Sequence, residues 1–293
     1  MKKRNRGFQI FSIVFLAIAC IMIIIPFLLL IISSFTDENA LMTDGYSFFP
    51  KKWSLGAYEY VFGSSGMIVK SYGYSVIVTA VGTVLSLVIT GLMAYPLSRK
   101  DFRYRNFFTF MVFFTMLFNG GLVSQYIMWT QLIVVKNTIL AYIIPNLLMS
   151  GFNVMIIRNF FSNDIPFEII EAAKIDGSGE FNTFLKIVLP MSKPIFAAIG
   201  ILTALGYWNN WTNGLYFITK PELYTFQNLL NRMIQQVNFL SSGSTVINSS
   251  QVKIPSVGIR MAIATIGVVP LMVMYPFFQK YFAKGLTVGA VKG

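Results

Sequence analysis

Apolar positions fall in six long runs, covering about 8–32, 72–98, 106–130, 138–161, 194–218 and 258–282. A helix needs roughly 20 such residues to cross the hydrocarbon core of a bilayer, so each run predicts one membrane-spanning helix. The first run follows Met1-Lys2-Lys3-Arg4-Asn5-Arg6. It is too long for a signal-peptide core and no small-residue cleavage site follows it, so it reads as a retained anchor. The organisation expected is an anchor with an outer segment over 1–71, a spanning core over 72–282 that contains a polar loop at 162–193, and a tail at 283–293.

Two segments between the runs are long, about 33–71 and 219–257. In the first, Pro50 stops any helix, and Ser54 is placed to cap a short new one through Val61. In the second, Phe226, Leu229, Leu230, Met233 and Val237 repeat at helical spacing, which predicts a short amphipathic helix.

Composition agrees with a membrane protein. Apolar residues make up 55% of the 293, charged residues 12%, and the mean hydropathy is +0.66. A soluble domain carries about twice that charge. The 23 basic and 11 acidic residues leave a net charge of +12. The bases lie between apolar runs, so they speak for orientation rather than for nucleic acid. With the N-terminus inside, fifteen bases fall on the inner side, seven on the outer, and Arg260 at a boundary. Both termini are therefore expected in the cytoplasm. A single cysteine, Cys20, precludes an internal disulfide, and the absence of histidine argues against zinc and haem. No span has a carboxylate in its apolar centre, which argues against ion-coupled transport. No Gly-x-x-x-x-Gly-Lys-Ser/Thr loop is present, so energy for uphill movement must come from a partner.

The polar loop at 162–193 carries the most information. Asp164 is placed to cap a helix with Pro166 in its first turn, and Gly177 to end it. Ser178 then starts a second short helix that ends near Leu189-Pro190. Ile165, Ile169, Ala172 and Ala173 fall on one face of the first helix, with Glu168 and Glu171 beside them. Periodicity leaves two readings open: a surface for a partner, or an amphipathic loop on the lipid surface.

Glu171-Ala172-Ala173, three residues, Gly177, nine residues, Ile187-Val188-Leu189-Pro190 resembles the EAA loop of ABC-importer permeases. The resemblance implies an all-α membrane protein with six transmembrane helices, the type I importer permease fold. It implies that Glu171, Ala172, Ala173, Gly177, Ile187, Leu189 and Pro190 couple the chain to an ATPase, with Glu171 facing a basic residue of that partner. It extends along the chain. Ala94-Tyr95-Pro96-Leu97-Ser98-Arg99 resembles the end of span two in carbohydrate permeases, where alanine is usual in place of Pro96. Phe118-Asn119-Gly120-Gly121-Leu122-Val123-Ser124-Gln125-Tyr126 resembles the polysaccharide and complex-oligosaccharide branch, which usually has proline in place of Ser124. Tyr207-Trp208-Asn209-Asn210-Trp211 resembles the Trp-Asn-x-Trp stretch of span five, and the run from Tyr281 to Gly293 resembles the branch's tail.

The family expected is thus the maltose-type permease of a carbohydrate-uptake importer in the bacterial plasma membrane. The partners implied are a second homologous permease, two ATPase subunits that bind ATP and Mg, an extracellular solute-binding protein and an oligosaccharide. The chain itself is expected to hold no cofactor, no metal and no catalytic residue. The tail, with Gly285, Gly289 and Gly293, is implied to reach between the ATPases. An integral-membrane transferase is the rival of another class. It would need clustered acids, bases or metal ligands, whereas the carboxylates here are scattered. A permease for a non-sugar solute shares the architecture.

Trp208, Asn209, Asn210 and Trp211 also have a physical reading of their own. Aromatic faces stack on sugar C–H surfaces while amides bind hydroxyls. An interfacial aromatic belt uses the same residues. If helical, Trp208 and Trp211 share roughly one face. Asn119, Gln125 and Tyr126 form a second polar group, open to substrate contact or to helix packing.

Overall fold

The computed structural model describes residues 6–63, 65–242, 257–269 and 272. The tail at 283–293 and most of the sixth run lie outside them. Among the described residues the chain is helical, with one isolated bridge between Thr36 and Trp53 and no strand. The helices run α1 Arg6–Ser34, α2 Glu38–Asp44, α3 Gly56–Phe62, α4 Ser65–Ser98, α5 Arg105–Leu117, α6 Gly121–Ile127, α7 Leu140–Ile143, α8 Gly151–Asn163 and α9 Phe167–Ile175. There follow α10 Glu180–Thr183, α11 Leu189–Met191, α12 Lys193–Trp208, α13 Thr212–Phe217, α14 Phe226–Ser242 and α15 Val257–Val269.

Among the described residues, two helices are each long and apolar enough to cross a membrane, Gly7–Ser34 and Gly66–Ser98. Runs three, four and five are interrupted, unlike the unbroken spans expected. Run three is a pair, Arg105–Leu117 and Gly121–Leu132, bent by 114°. The bend sits where Gly121 takes φ +79°, a left-handed conformation that glycine enters without steric cost. Run four holds only α7 and α8, parted by a stretch with Pro145 and a left-handed Asn146 at φ +64°. Run five ends at Trp208, and α13 begins afresh at Thr212. α12 is itself bent by 81° from the segment Glu180–Met191 before it.

Contacts divide the chain into two compact units. Among the described residues, the first comprises those up to Ile68 and from Leu230 to Met272. There α1 leaves its apolar side chains exposed along its length, as suits a helix in lipid. Its C-terminal end is anchored: Ser34 Oγ and Tyr58 Oη are 2.7 Å apart, and Phe35 stacks on Tyr58. Lys52 pairs with Asp37 at 3.1 Å, and that hydrogen bond holds the Asp37 carboxyl below its usual range. Glu38 accepts from the backbone N–H groups of Val257 and Gly258, two of the orphan donors at the start of α15. Ser54 Oγ accepts from Gly56 N, close to the cap expected of it.

The second unit comprises the described residues from Val69 to Leu229. Its core joins α4, α5, α8, α9, the 184–188 turn and α12 through Ala94, Leu97, Val112, Val154, Ile157, Phe161, Ile170, Phe184, Val188 and Ile199. Glycines let these helices approach closely. A Cβ on Gly82 would stand 2.6 Å from the Tyr207 ring, and one on Gly91 would stand 2.8 Å from Phe196.

Candidate functional site

The 162–193 loop is built at the end of α4. Asp164 closes α8 rather than capping α9: its N–H bonds to Phe160 O at 2.9 Å. Pro166 occupies the N-cap of α9, so the helix begins two residues later than expected, because the extended ψ of 130° at Pro166 lies outside the helical range. The C-terminal end matches expectation. Gly177 has φ +77°, Ser178 N bonds to Ala173 O at 2.9 Å and Gly177 N to Lys174 O at 3.0 Å. These are the two bonds of a Schellman stop.

The buried face of α9 is Ile170 and Ala173, continued by Ile165 before the helix. Ile169 and Ala172, grouped with them on spacing, instead face outward beside Glu168 and Glu171. Ile175 is 87% exposed. Glu171 forms no ion pair among the described residues. The following segment begins at Glu180, with Ser178 Oγ accepting from Asn182 and Thr183. It passes through a π turn, Phe184–Val188, in which Leu189 N bonds to Phe184 O. Val188 is fully buried there, Ile187 and Leu189 are half-buried, and Pro190 is exposed.

A charged network, unmarked in the sequence reading, ties this loop to α4. Lys174 Nζ lies 2.6 Å from Asp101 Oδ2 and 3.0 Å from Glu180 Oε1. Tyr95 Oη donates to Glu180 Oε2 at 2.7 Å. Asp101 Oδ1 stands 3.6 Å from Arg99 Nε. The hydrogen bond from Lys174 holds Asp101 below its ordinary pKa, and the bonds to Asp101 and Glu180 raise Lys174. Burial pushes Glu180 up, but the hydrogen bonds from Tyr95 and Lys174 outweigh it and leave that carboxyl lowered.

The second group of singled-out residues gathers near the other end of α4. Asn119 Oδ1 accepts from Gly121 N at 2.9 Å and Gln125 Nε2 at 3.1 Å, while Asn146 Nδ2 donates to Gln125 Oε1 at 3.2 Å. Tyr126 stacks on Phe217 with ring centroids 6.1 Å apart, and Lys136 Nζ donates to its hydroxyl at 3.3 Å. Asn137 accepts from Thr219 N at 2.7 Å and Lys220 N at 3.3 Å. The span-five cluster is split. Trp208 is 4% exposed, edge-on to Tyr72 with centroids 5.5 Å apart and tilted against Phe226. Trp211 is 39% exposed. The two tryptophans share no helix face, because α12 stops between them. Asn209 Nδ2 donates to Leu205 O, and Asn210 Oδ1 accepts from Asn213 N and Thr212 Oγ1 at the start of α13.

Two further residues hold this end together and were not singled out. Buried Asn213 donates to Pro145 O at 2.9 Å, and the Tyr142 hydroxyl accepts from Thr225 N and Asn228 Nδ2, both at 3.3 Å. Single polar residues in apolar runs were the available signal, since a buried amide or hydroxyl needs a partner.

Residues 82–288 match the family described as binding-protein-dependent transport system inner membrane component. The chain is 38% identical to the protein LplC of Bacillus subtilis over 296 residues, covering 99% of this chain and 97% of that one. It is 35% identical to the polygalacturonan/rhamnogalacturonan transport system permease protein YtcP of the same organism, covering 99% and 100%. Among solved structures, it resembles a chain of a bacterial ABC transporter involved in the import of the acidic polysaccharide alginate. The TM-score is 0.78 at 27% identity, over 96% of this chain and 99% of that one. With its apolar helices, its helical fold and a family match over most of its length, the chain belongs to the binding-protein-dependent inner membrane component family of ABC transport permeases and is not an enzyme.

Proposed function

We propose that this chain forms half of the translocation pathway of an oligosaccharide importer, with six spans and both termini in the cytoplasm. A second, homologous permease completes the pathway. Two ATPase subunits, which bind ATP and Mg, dock on the outward face of α9. An extracellular solute-binding protein delivers the sugar. ATP-driven closure of the ATPases moves the coupling helices together and opens the pathway outward, and hydrolysis resets it inward.

The observation that carries this reading is α9 itself. Glu171 and Ala172 are presented outward beside exposed Ile169 and Ile175, while Lys174 fastens the same helix to Asp101 and Glu180. A helix free on one face and fixed on the other can pass a push from a partner into α4. Relatives named for polygalacturonan/rhamnogalacturonan and arabinooligosaccharide transport, and the alginate importer, support a sugar as cargo. So do the physical properties of the Asn119–Gln125–Asn146 amides and the Tyr126–Lys136 pair: amides and a lysine bind hydroxyls, and the tyrosine ring offers a stacking face.

The test is Glu171→Lys in the complete transporter in liposomes. Charge reversal at the docking face is expected to lower binding-protein-stimulated ATPase activity at least tenfold and to weaken retention of the ATPase subunits. Wild-type values for both would remove α9 as the docking element.

A further inference from the structure

A second feature of the 162–193 region lies beneath α9 rather than on its outward face. A cavity of about 440 Å³ opens between the end of α4, the start of α5, the last turns of α8 and the first turn of α9. Its lining includes Arg99, Lys100, Arg105 and Arg158, and no carboxylate. Asn159 and Asn163 add side-chain amides. The site is therefore rich in donors and carries four positive charges.

Arg99 is the sharpest element. It is 6% exposed, and its Nε and Nη2 are buried without a hydrogen-bond partner. Its nearest anion is Asp101, whose Oδ1 is 3.6 Å from Nε, beyond hydrogen-bond distance, while the other carboxylate oxygen is engaged by Lys174. The rings of Tyr95 and Phe167, with centroids 5.9 and 5.5 Å from its Cζ, flank the guanidinium. Arg158 is held in place by donating from Nε to Leu97 O and from Nη1 to Asn159 Oδ1. A buried guanidinium with orphan N–H groups is costly, and like charges grouped around one cavity add repulsion. The repulsion is relieved by one anion with several acceptor oxygens. A planar guanidinium fork matches phosphate geometry.

We propose that this cavity binds a phosphate group, supplied by an anionic phospholipid headgroup or by free phosphate. The lipid source rests on the orientation proposed above, which sets the cavity at the inner surface of the membrane, where anionic headgroups meet basic pockets. The phosphate chemistry rests on the cavity alone. Phe167 and Ile170 also line the cavity, so an occupant sits directly under the first turns of α9.

The experiment uses the complete, nucleotide-free transporter as wild type, as Arg105→Gln/Arg158→Gln and as Lys100→Glu, with Lys51→Gln/Lys52→Gln as a control. Lys100 is exposed, so its replacement leaves folding intact even where the double variant assembles poorly. In one arm, native mass spectrometry reads lipid retained from nanodiscs of phosphatidylglycerol or of phosphatidylcholine. In the other, inorganic phosphate is titrated into delipidated complex against chloride at equal ionic strength, and thermal stability is read. The expected result is that phosphatidylglycerol retention falls at least fivefold in both cavity variants and is unchanged in the control. A cavity-dependent shift in the phosphate arm alone assigns the site to free phosphate. Equal behaviour of wild type and cavity variants in both arms overturns the proposal. Neither arm measures transport or ATPase docking, so failure of the Glu171→Lys test leaves this outcome readable, and the reverse.

Discussion

The two ends of α4 are held by different chemistry. Near Tyr95 the helix meets a charged network in which Lys174 serves Asp101 and Glu180 at once, half in water. Near Tyr72, 23 residues earlier and roughly 35 Å away along the helix axis, the contacts are aromatic and amide. Trp208, Phe226 and Tyr72 pack together there, Ser75 Oγ accepts from Phe226 N at 2.7 Å, and Tyr142, Asn213 and Asn228 bond in the interior. Exposed ion pairs contribute little stability and rearrange readily, whereas buried aromatic and amide contacts are rigid and costly to disturb. The difference fits the division of labour proposed: a loop that moves with a partner at one end, and helix breaks locked in place at the other.

The largest effect should come from the locked end. Trp208→Ala removes a buried side chain packed on two rings, which is expected to cost about 3 kcal/mol and to reduce the yield of assembled complex. Trp211→Ala, on an exposed side chain, should leave yield unchanged and lower labelled-oligosaccharide uptake per complex severalfold. Yield and uptake measured for both variants separate packing from contact with cargo. Equal yields would show that the aromatic cluster is not the lock described.

Gly177 tests the loop end. Nothing lies within 4 Å of a Cβ added there, so crowding is absent and only the left-handed backbone resists substitution. Gly177→Ala should cost about 1 kcal/mol and the β-branched Gly177→Val more, with transport falling in the same order. Matched thermal stabilities of the two variants would place the helix stop elsewhere.

Lys174→Met should show the smallest effect on stability, about 0.5 kcal/mol, because the pairs it breaks are partly exposed. Its pH dependence is distinctive. Asp101 and Glu180 are lowered in the folded protein, so their stabilising share is full above the ordinary carboxylate range and is lost as pH falls through the depressed values. Lys174 is raised, so its share is full below the ordinary lysine value and is lost as pH rises past the raised one. The difference in melting temperature between wild type and Lys174→Met should therefore be flat through neutral pH and shrink below about pH 4. A constant difference down to pH 3 would mean that these ion pairs do not hold α9.

The primary sequence alone determined the apolar class of the protein, the α14 rhythm at Phe226, Leu229 and Leu230, and the helix stop at Gly177. These depend on side-chain periodicity and local backbone freedom, which are written within a few residues. The Glu171-Ala172-Ala173 pattern is likewise written within a few residues. Tertiary structure alone decided which face of α9 turns inward, because Ile170 rather than Ile169 meets the core formed by α4, α8 and the 184–188 turn. It also decided that three apolar runs break. An apolar run states that a segment avoids water, not that it is straight. The break at Asn146 is held by Gln125 and the restart after Trp208 by the bond from Asn213 to Pro145 O, partners distant in sequence, whereas the turn at Gly121 is made locally with Asn119. The same holds for Lys174, Asp101, Glu180 and Tyr95. Each is an ordinary residue in its own segment, and only the fold brings their charges within bonding distance.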